Sequence, residues 1–212
     1  MAAAAEVGRG GGECPAVPLA SGRAIPVLGL GTSHQGGCSH DAVVYALQEC
    51  GIRHIDTAKR YGCESLLQKA IKESGVKQKD LWITTKLWHS DYGYENKKKA
   101  WLESCERLGV EYLDLYLIHW PGANIPGKSN REVRAETWRA MEELYEKGLC
   151  RSIGVSNFLI SHLEQLKEDC VITPHVNQFS AYSCAGSSCS HSYYLLPLKV
   201  CLCSQRTGSW NG

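Results

Sequence analysis

Apolar and polar positions along this chain follow two periods, and the two alternate in blocks. Short, nearly continuous apolar runs such as Leu113-Asp114-Leu115-Tyr116-Leu117-Ile118 predict strands with both faces covered. Between them, apolar residues recur every three or four positions, as in amphipathic helices. The pattern gives strands over 27–32, 52–56, 81–86, 113–119, 151–156 and 174–178, separated by helices over 41–50, 64–74, 95–108, 133–147 and 161–168. Ahead of them, residues 18–26 read as a small hairpin with Ser21-Gly22 at its turn. Strand and helix in strict alternation predict an α/β fold, a parallel sheet with right-handed crossovers.

The strand ends narrow the architecture. Asp56, Lys86, His119, Ser156-Asn157 and Gln178 each close an apolar strand, at intervals of 30, 33, 37 and 22 residues. In an open doubly wound sheet these ends would spread along an edge. In a closed (β/α) barrel they gather in one ring at the C-terminal face, where catalytic groups sit. Five polar ends in register therefore predict a TIM-barrel arrangement with a shared site. The Gly29-x-Gly31 pair is not a dinucleotide fingerprint of the doubly wound kind, because His34 occupies the third glycine position. It leaves a strand tip where small residues let something approach closely.

Composition alters this picture little. With 212 residues, 43% hydrophobic and 21% charged, the chain reads as one ordinary globular domain. Its 23 Lys and Arg nearly balance 22 Asp and Glu, so no strong field recruits nucleic acid or an anionic membrane. No apolar run reaches the roughly 18 residues that span a bilayer, and the first residues lack the apolar core of a secretory signal. Residues 1–13 are expected to be a disordered Ala/Gly tail, with an organellar signal as the alternative. The 11 cysteines are mostly scattered singly, which suits free thiols in a reducing compartment and a cytoplasmic location. Cys184, Cys189, Cys201 and Cys203 crowd together near His191, but without the C-x2-C pairing of zinc modules, and no metal is expected.

The candidate chemistry centres on Asp56 and Tyr61, five residues apart at a strand tip and the following turn. If Asp56, Tyr61, Lys86 and His119 converge, the lysine ammonium favours the phenolate and is expected to lower the Tyr61 pKa by about 1–3 units. Asp56 would hold Lys86 charged and oriented, and His119 would donate a hydrogen bond to a substrate oxygen. No serine or cysteine sits in a nucleophile motif, so the group looks built to protonate an oxygen. A carbonyl that gains a proton needs a hydride from elsewhere, which implies a nicotinamide cofactor.

These residues also carry a resemblance. Ile55-Asp56-Thr57-Ala58-x-x-Tyr61, Thr85-Lys86-Leu87-Trp88, Asp114-Leu115-Tyr116-Leu117-Ile118-His119-Trp120-Pro121, Thr137-Trp138-x-Ala140-Met141-Glu142-x-Leu144 and Ile153-Gly154-Val155-Ser156-Asn157-Phe158 resemble, in order, motifs of the aldo-keto reductases. The resemblance implies a (β/α)8 barrel and reduction of small-molecule aldehydes or ketones with NADPH. Carried over by position, it makes Tyr61 the proton donor, tuned by Lys86 and Asp56, with His119 orienting the carbonyl. It places Gly31, Thr32 and Asp56 along the cofactor, gives the nicotinamide carboxamide to Ser156, Asn157 and Gln178, and makes Trp88 and Trp120 walls of the substrate pocket.

After Gln178 the family pattern would continue with two more strand–helix units. The sequence runs instead into a Ser/Cys/Gly-rich stretch without helical period. Residues 14–178 are therefore expected to form about six of eight barrel units, and 179–212 an irregular, non-family segment with at most one strand near 193–200. That is the pattern of a truncated or alternatively spliced member. Two further readings stand beside the reductase: a catalytically inactive remnant, and a binding or regulatory module on the same fold. Six strands leave two unpaired edges, which invite self-association, but no pattern encodes an oligomeric state.

Overall fold

A computed structural model describes residues 15–33, 38–94, 96–123, 125–180 and 191–195. The expected tail over 1–13 and the cysteines at 184, 189, 201 and 203 lie outside the described residues. A two-stranded hairpin, β1 (Ala16–Pro18) and β2 (Ala24–Pro26), precedes a seven-stranded sheet. The sheet runs β3 (Leu30–Gly31), β4 (His54–Asp56), β5 (Trp82–Leu87), β6 (Leu115–Ile118), β7 (Ile153–Ser156), β8 (Val176–Ser180) and β9 (His191–Leu195) in chain order. Neighbours from β3 to β8 are parallel. The crossovers carry α1 (His40–Gln48), α2 (Glu64–Ser74), α3 (Asn96–Leu108), α4 (Asn130–Glu146) and α5 (Ile160–Asp169).

The expected alternation is present, and the differences at its edges have local causes. The first core strand is only Leu30–Gly31, because Val27 still belongs to the hairpin and donates its N–H to Pro15 O at 2.8 Å. In β6 the ladder begins at Leu115, since the Asp114 carboxylate accepts from Ile83 N–H at 3.0 Å. Helix α4 starts ahead of its apolar period because Ser129 and Glu132 form a capping box, each side chain accepting from the other's backbone N–H.

Alternation along each strand sorts side chains between two cores. From β5, Ile83 and Leu87 pack outward with Leu47, Leu67, Leu108 and Met141 against the helices. Trp82 points the other way and joins Leu115, Leu117, Val176, Leu19 and Ile25 on the inner side. The hairpin thus plugs the N-terminal end of the sheet's concave face. Above that plug His54 donates from Nδ1 to Pro26 O at 3.2 Å, which leaves Nε2 of the neutral ring to accept from Thr84 Oγ1 at 3.1 Å. Gly29 is where it is because the His54 ring needs the room: a Cβ there would lie 2.8 Å from Nδ1.

Among the described residues the sheet is curved but not closed. Gln178 Nε2 on β8 donates to Asp56 Oδ2 on β4 at 3.1 Å, so strands four places apart in the order face each other across the concave side. Two open edges were expected at the ends of a six-strand sheet; among the described residues the edges are β3 and β9, because β9 runs antiparallel to β8 with a five-residue register from Val176↔Leu195 to Ser180↔His191. The expected strand over 193–200 therefore begins two residues earlier, and its last part lies outside the described residues.

Gly154 on β7 pairs with Leu117 of β6 and Val176 of β8, and a Cβ there would lie 2.5 Å from Val176 O and 2.8 Å from Leu117 Cδ2. Backbone on one side leaves no cheap relaxation. Gly154→Ala is expected to lower stability by about 1–3 kcal/mol, read as a lower midpoint in urea unfolding at unchanged m-value.

Candidate active site

Each inward-facing position at the C-terminal end of a strand delivers one polar group to the same place. The period of two that puts Trp82 on the plug puts Lys86, four residues on, at the opposite end of the concave face. Lys86 is fully buried, and its ammonium donates to Asp56 Oδ1 at 2.7 Å and to Thr57 O at 2.9 Å. Tyr61 OH lies 3.5 Å from the same nitrogen. The phenol is presented by a short 3-10 turn, Lys59–Tyr61, ended by Gly62 in the left-handed region at φ 70°. The His119 ring stands edge-on to Tyr61, with centroids 5.7 Å apart.

The charges in this group oppose one another in instructive ways. Burial is the largest influence on Lys86 and works against its charge, but Asp56 and Tyr61 together outweigh it and hold the ammonium. For Tyr61, burial raises the pKa above the usual phenol value and is the largest influence, while Lys86 pulls the other way. The expected lowering of Tyr61 by Lys86 is thus overturned as a net effect. The phenol is too well desolvated, and Asp56 adds a further upward push. Tyr61 stands as a firmly protonated hydroxyl beside a permanent positive charge.

The remaining predicted residues fall around this group. Thr32 donates both its N–H and its hydroxyl to Asp56 O at 3.0 Å, and Gly31 pairs with Asp56 in the ladder. Ser156 Oγ donates to Gln178 O at 2.9 Å, and Asn157 Nδ2 donates to His119 O at 3.0 Å and Ser156 Oγ at 3.1 Å. Asn157 holds a positive φ of 62°, a conformation asparagine tolerates better than most residues. Trp88 packs edge-on to His119 at 5.1 Å, and Trp120 lies nearly parallel to it at 6.4 Å with 44% of its surface exposed. All eleven predicted positions therefore gather at one end of the sheet.

Several contributors carried no sequence signal. Buried Tyr92 donates its hydroxyl to Trp120 O at 2.7 Å and accepts from Trp120 N–H at 3.0 Å, fixing the turn after His119. Lys59 pairs with Asp91 at 2.7 Å, tying the Tyr61 turn to the loop after β5. Glu64 accepts from Thr85 Oγ1 at 2.8 Å and from Arg107 Nε at 2.7 Å, anchoring β5 one residue before Lys86. Its partners lie 21 and 43 residues away, beyond the reach of any local pattern.

The fit to a nicotinamide cofactor turns on one atom. Gln178 is fully buried, its Nε2 is used on Asp56, and its Oε1 has no hydrogen-bond partner among the described residues. A buried, orphaned amide acceptor beside Ser156 and Asn157 suits the N–H of a carboxamide.

A family model described as the Aldo/keto reductase family matches residues 27–188. The chain belongs to the aldo/keto reductase family. It is 47% identical over 156 residues to the 9,11-endoperoxide prostaglandin H2 reductase of Trypanosoma cruzi, covering 73% of this chain and 52% of that protein. With the glyoxal reductase of Bacillus subtilis it shares 45% over 164 residues, 76% of this chain and 56% of that one. Among solved structures, an aldo/keto reductase from Brucella melitensis matches with a TM-score of 0.69 at 45% identity, over 79% of this chain and 63% of that chain. The Bombyx mori aldo-keto reductase solved in complex with NADP matches with a TM-score of 0.70 at 37% identity, over 79% and 58%. The chain spans about half the length of the curated relatives it matches. Among the described residues no group of His, Cys, Asp or Glu is arranged to hold a metal ion, and no helix is long and apolar enough to cross a membrane.

Directly beneath the site, His54 is held neutral: burial lowers its pKa from 6.5 to about 4. The unfolded chain takes up that proton below the higher value and the folded chain only below the lower one. Stability is therefore expected to fall as pH drops from about 6.5 to about 4, by roughly 3 kcal/mol for this group. Urea unfolding across that range should show a shallower slope for His54→Gln.

Proposed function

We propose that this aldo/keto reductase chain carries the catalytic half of an NADPH-dependent carbonyl reductase acting on aldehydes or ketones. The observation that supports the reading most is the buried Lys86 ammonium, bonded to Asp56 and within reach of the Tyr61 hydroxyl beside the His119 ring. In this reading Tyr61 OH gives its proton to the carbonyl oxygen as that oxygen becomes an alkoxide. A raised phenol pKa does not prevent the transfer, because an alkoxide is far more basic than a phenolate. The fixed charge of Lys86 then stabilises the phenolate left behind, at a site where water no longer screens it. Asp56 keeps that charge in place, and a solvent proton restores Tyr61. His119 donates to the same substrate oxygen and sets its direction, and Trp88 and Trp120 flank an apolar substituent.

NADPH, when bound, supplies the hydride. Gly31, Thr32 and Asp56 would lie along it, with Ser156, Asn157 and Gln178 at its carboxamide, Gln178 Oε1 being a buried acceptor without another partner among the described residues. This assignment also draws on the relatives whose names describe reductases and on the Bombyx mori structures that contain NADP or NADPH.

Two measurements on the 212-residue chain test the reading: the change in NADPH fluorescence on binding, and turnover of a simple aromatic aldehyde. Tyr61→Phe is expected to bind NADPH within about twofold of the parent while losing roughly 10²–10⁴-fold in kcat, the usual worth of a general acid. Equal turnover in the two proteins would remove Tyr61 from the role. Absence of NADPH binding by a chain with native circular dichroism would instead favour a binding or regulatory module.

A further inference from the structure

The turn Lys59–Tyr61 carries three polar side chains, and two of them already have tasks. Lys59 pairs with Asp91 at 2.7 Å and lies 3.6 Å from Glu103, while Tyr61 stands against Lys86 and His119. Arg60, between them, is exposed and has no carboxylate partner among the described residues. Its guanidinium carbon lies over the Trp88 ring, 5.6 Å from the centroid, close enough for a cation–π contact. Trp88 in turn meets His119 edge-on at 5.1 Å, and His119 meets Tyr61 at 5.7 Å. A single indole ring therefore stands between the guanidinium and the pair proposed to take the carbonyl oxygen. The charges nearby leave this position uneven. Asp56 answers Lys86, and Asp91 and Glu103 face Lys59, so each of these carboxylates is met by a cation. His89, also against the Trp88 ring at 4.4 Å, adds no negative charge. A guanidinium held over an aromatic face still presents its N–H edge, and that edge matches a carboxylate bidentately.

We propose, resting on the reductase reading above, that Arg60 is a specificity-determining residue that selects carbonyl substrates bearing a carboxylate. These are oxo acids in which the carboxylate stands off from the aldehyde or ketone by about the breadth of an indole ring. The carbonyl oxygen goes to Tyr61 and His119, the carbon frame lies along Trp88, and the carboxylate accepts from the Arg60 guanidinium. One uncompensated charge matches a carboxylate monoanion better than a phosphate dianion. The contact with Trp88 also restricts a long side chain before the anion arrives, so less rotamer freedom is lost on binding. Because Arg60 is exposed, its attraction for the anion is screened by salt.

The test compares 4-carboxybenzaldehyde with its neutral carboxamide, 4-formylbenzamide, as substrates of the 212-residue chain with NADPH. The parent is expected to show a higher kcat/KM for the acid than for the amide. Arg60→Gln should lower that acid-to-amide ratio roughly tenfold, through KM rather than kcat. Arg60→Lys should keep part of the preference, and about 1 M NaCl should reduce it in the parent. A parent that does not prefer the acid, or a ratio that Arg60→Gln leaves unmoved, would overturn the proposal while the reductase reading stands. If neither aldehyde is turned over, it is the reductase reading that fails, and isothermal titration calorimetry with 4-carboxybenzaldehyde then decides the role of Arg60. Binding to the parent roughly tenfold tighter than to Arg60→Gln would support an anion-selecting arginine; equal affinity, or no binding to either, would overturn it.

Discussion

A positive charge with no access to water organises the top of this sheet. Lys86 reaches that position because a strand of six buried residues carries it there, and desolvation of an ammonium is costly unless its partners are close. Asp56 Oδ1 and Thr57 O answer two of its three N–H groups, and both come from β4 and the residue after it. Asp56 in turn spends its second oxygen on Gln178. The charge therefore ties β4, β5 and β8 together through side chains, where the backbone ladder ties only neighbours. Removing either ion-pair partner would leave a buried, unpaired group, so the residues that define the site also hold the curvature of the sheet.

Around that charge, the molecule separates stiffness from chemistry along the strand axis. The lower end of the concave face is apolar and plugged by the hairpin, through Leu19 and Ile25 against Trp82 and Val176. A polar but uncharged layer follows, in which His54 and Thr84 satisfy one another. The ionised groups come last. Such an order keeps water from reaching Lys86 from below and leaves the turns at the mouth as its approach. Those turns are themselves fastened, by Tyr92 to the Trp120 backbone and by Lys59 to Asp91.

Much of this was legible because a barrel strand is short and its period is fixed. Once Asp56, Lys86, His119, Ser156 and Gln178 each closed an apolar run, alternation alone placed them on one face. What the sequence could not carry was the balance between contacts. Tyr61 and Lys86 were recognisable as neighbours, yet burial outweighs their attraction for the phenol, and burial is a property of the whole assembly. Tyr92 and Glu64 act through partners far along the chain, and nothing local marks them. Gly29 suggested room for a ligand, but the space is taken by an imidazole ring. The start of α4 was misplaced because a capping box acts before the apolar rhythm begins.

The reversed direction of β9 has a topological meaning. A strand added in parallel would enter at the plugged end and deliver its last residue, and the loop after it, to the mouth. β9 enters opposite Ser180 at the mouth and leaves opposite Val176, beside the hairpin. Its pairing also occupies the outer hydrogen-bonding edge of β8, so any parallel strand seeking that edge and β9 exclude each other. The curved sheet thus ends in a stop of opposite polarity, and completing the circle from β8 would require that stop to be released first.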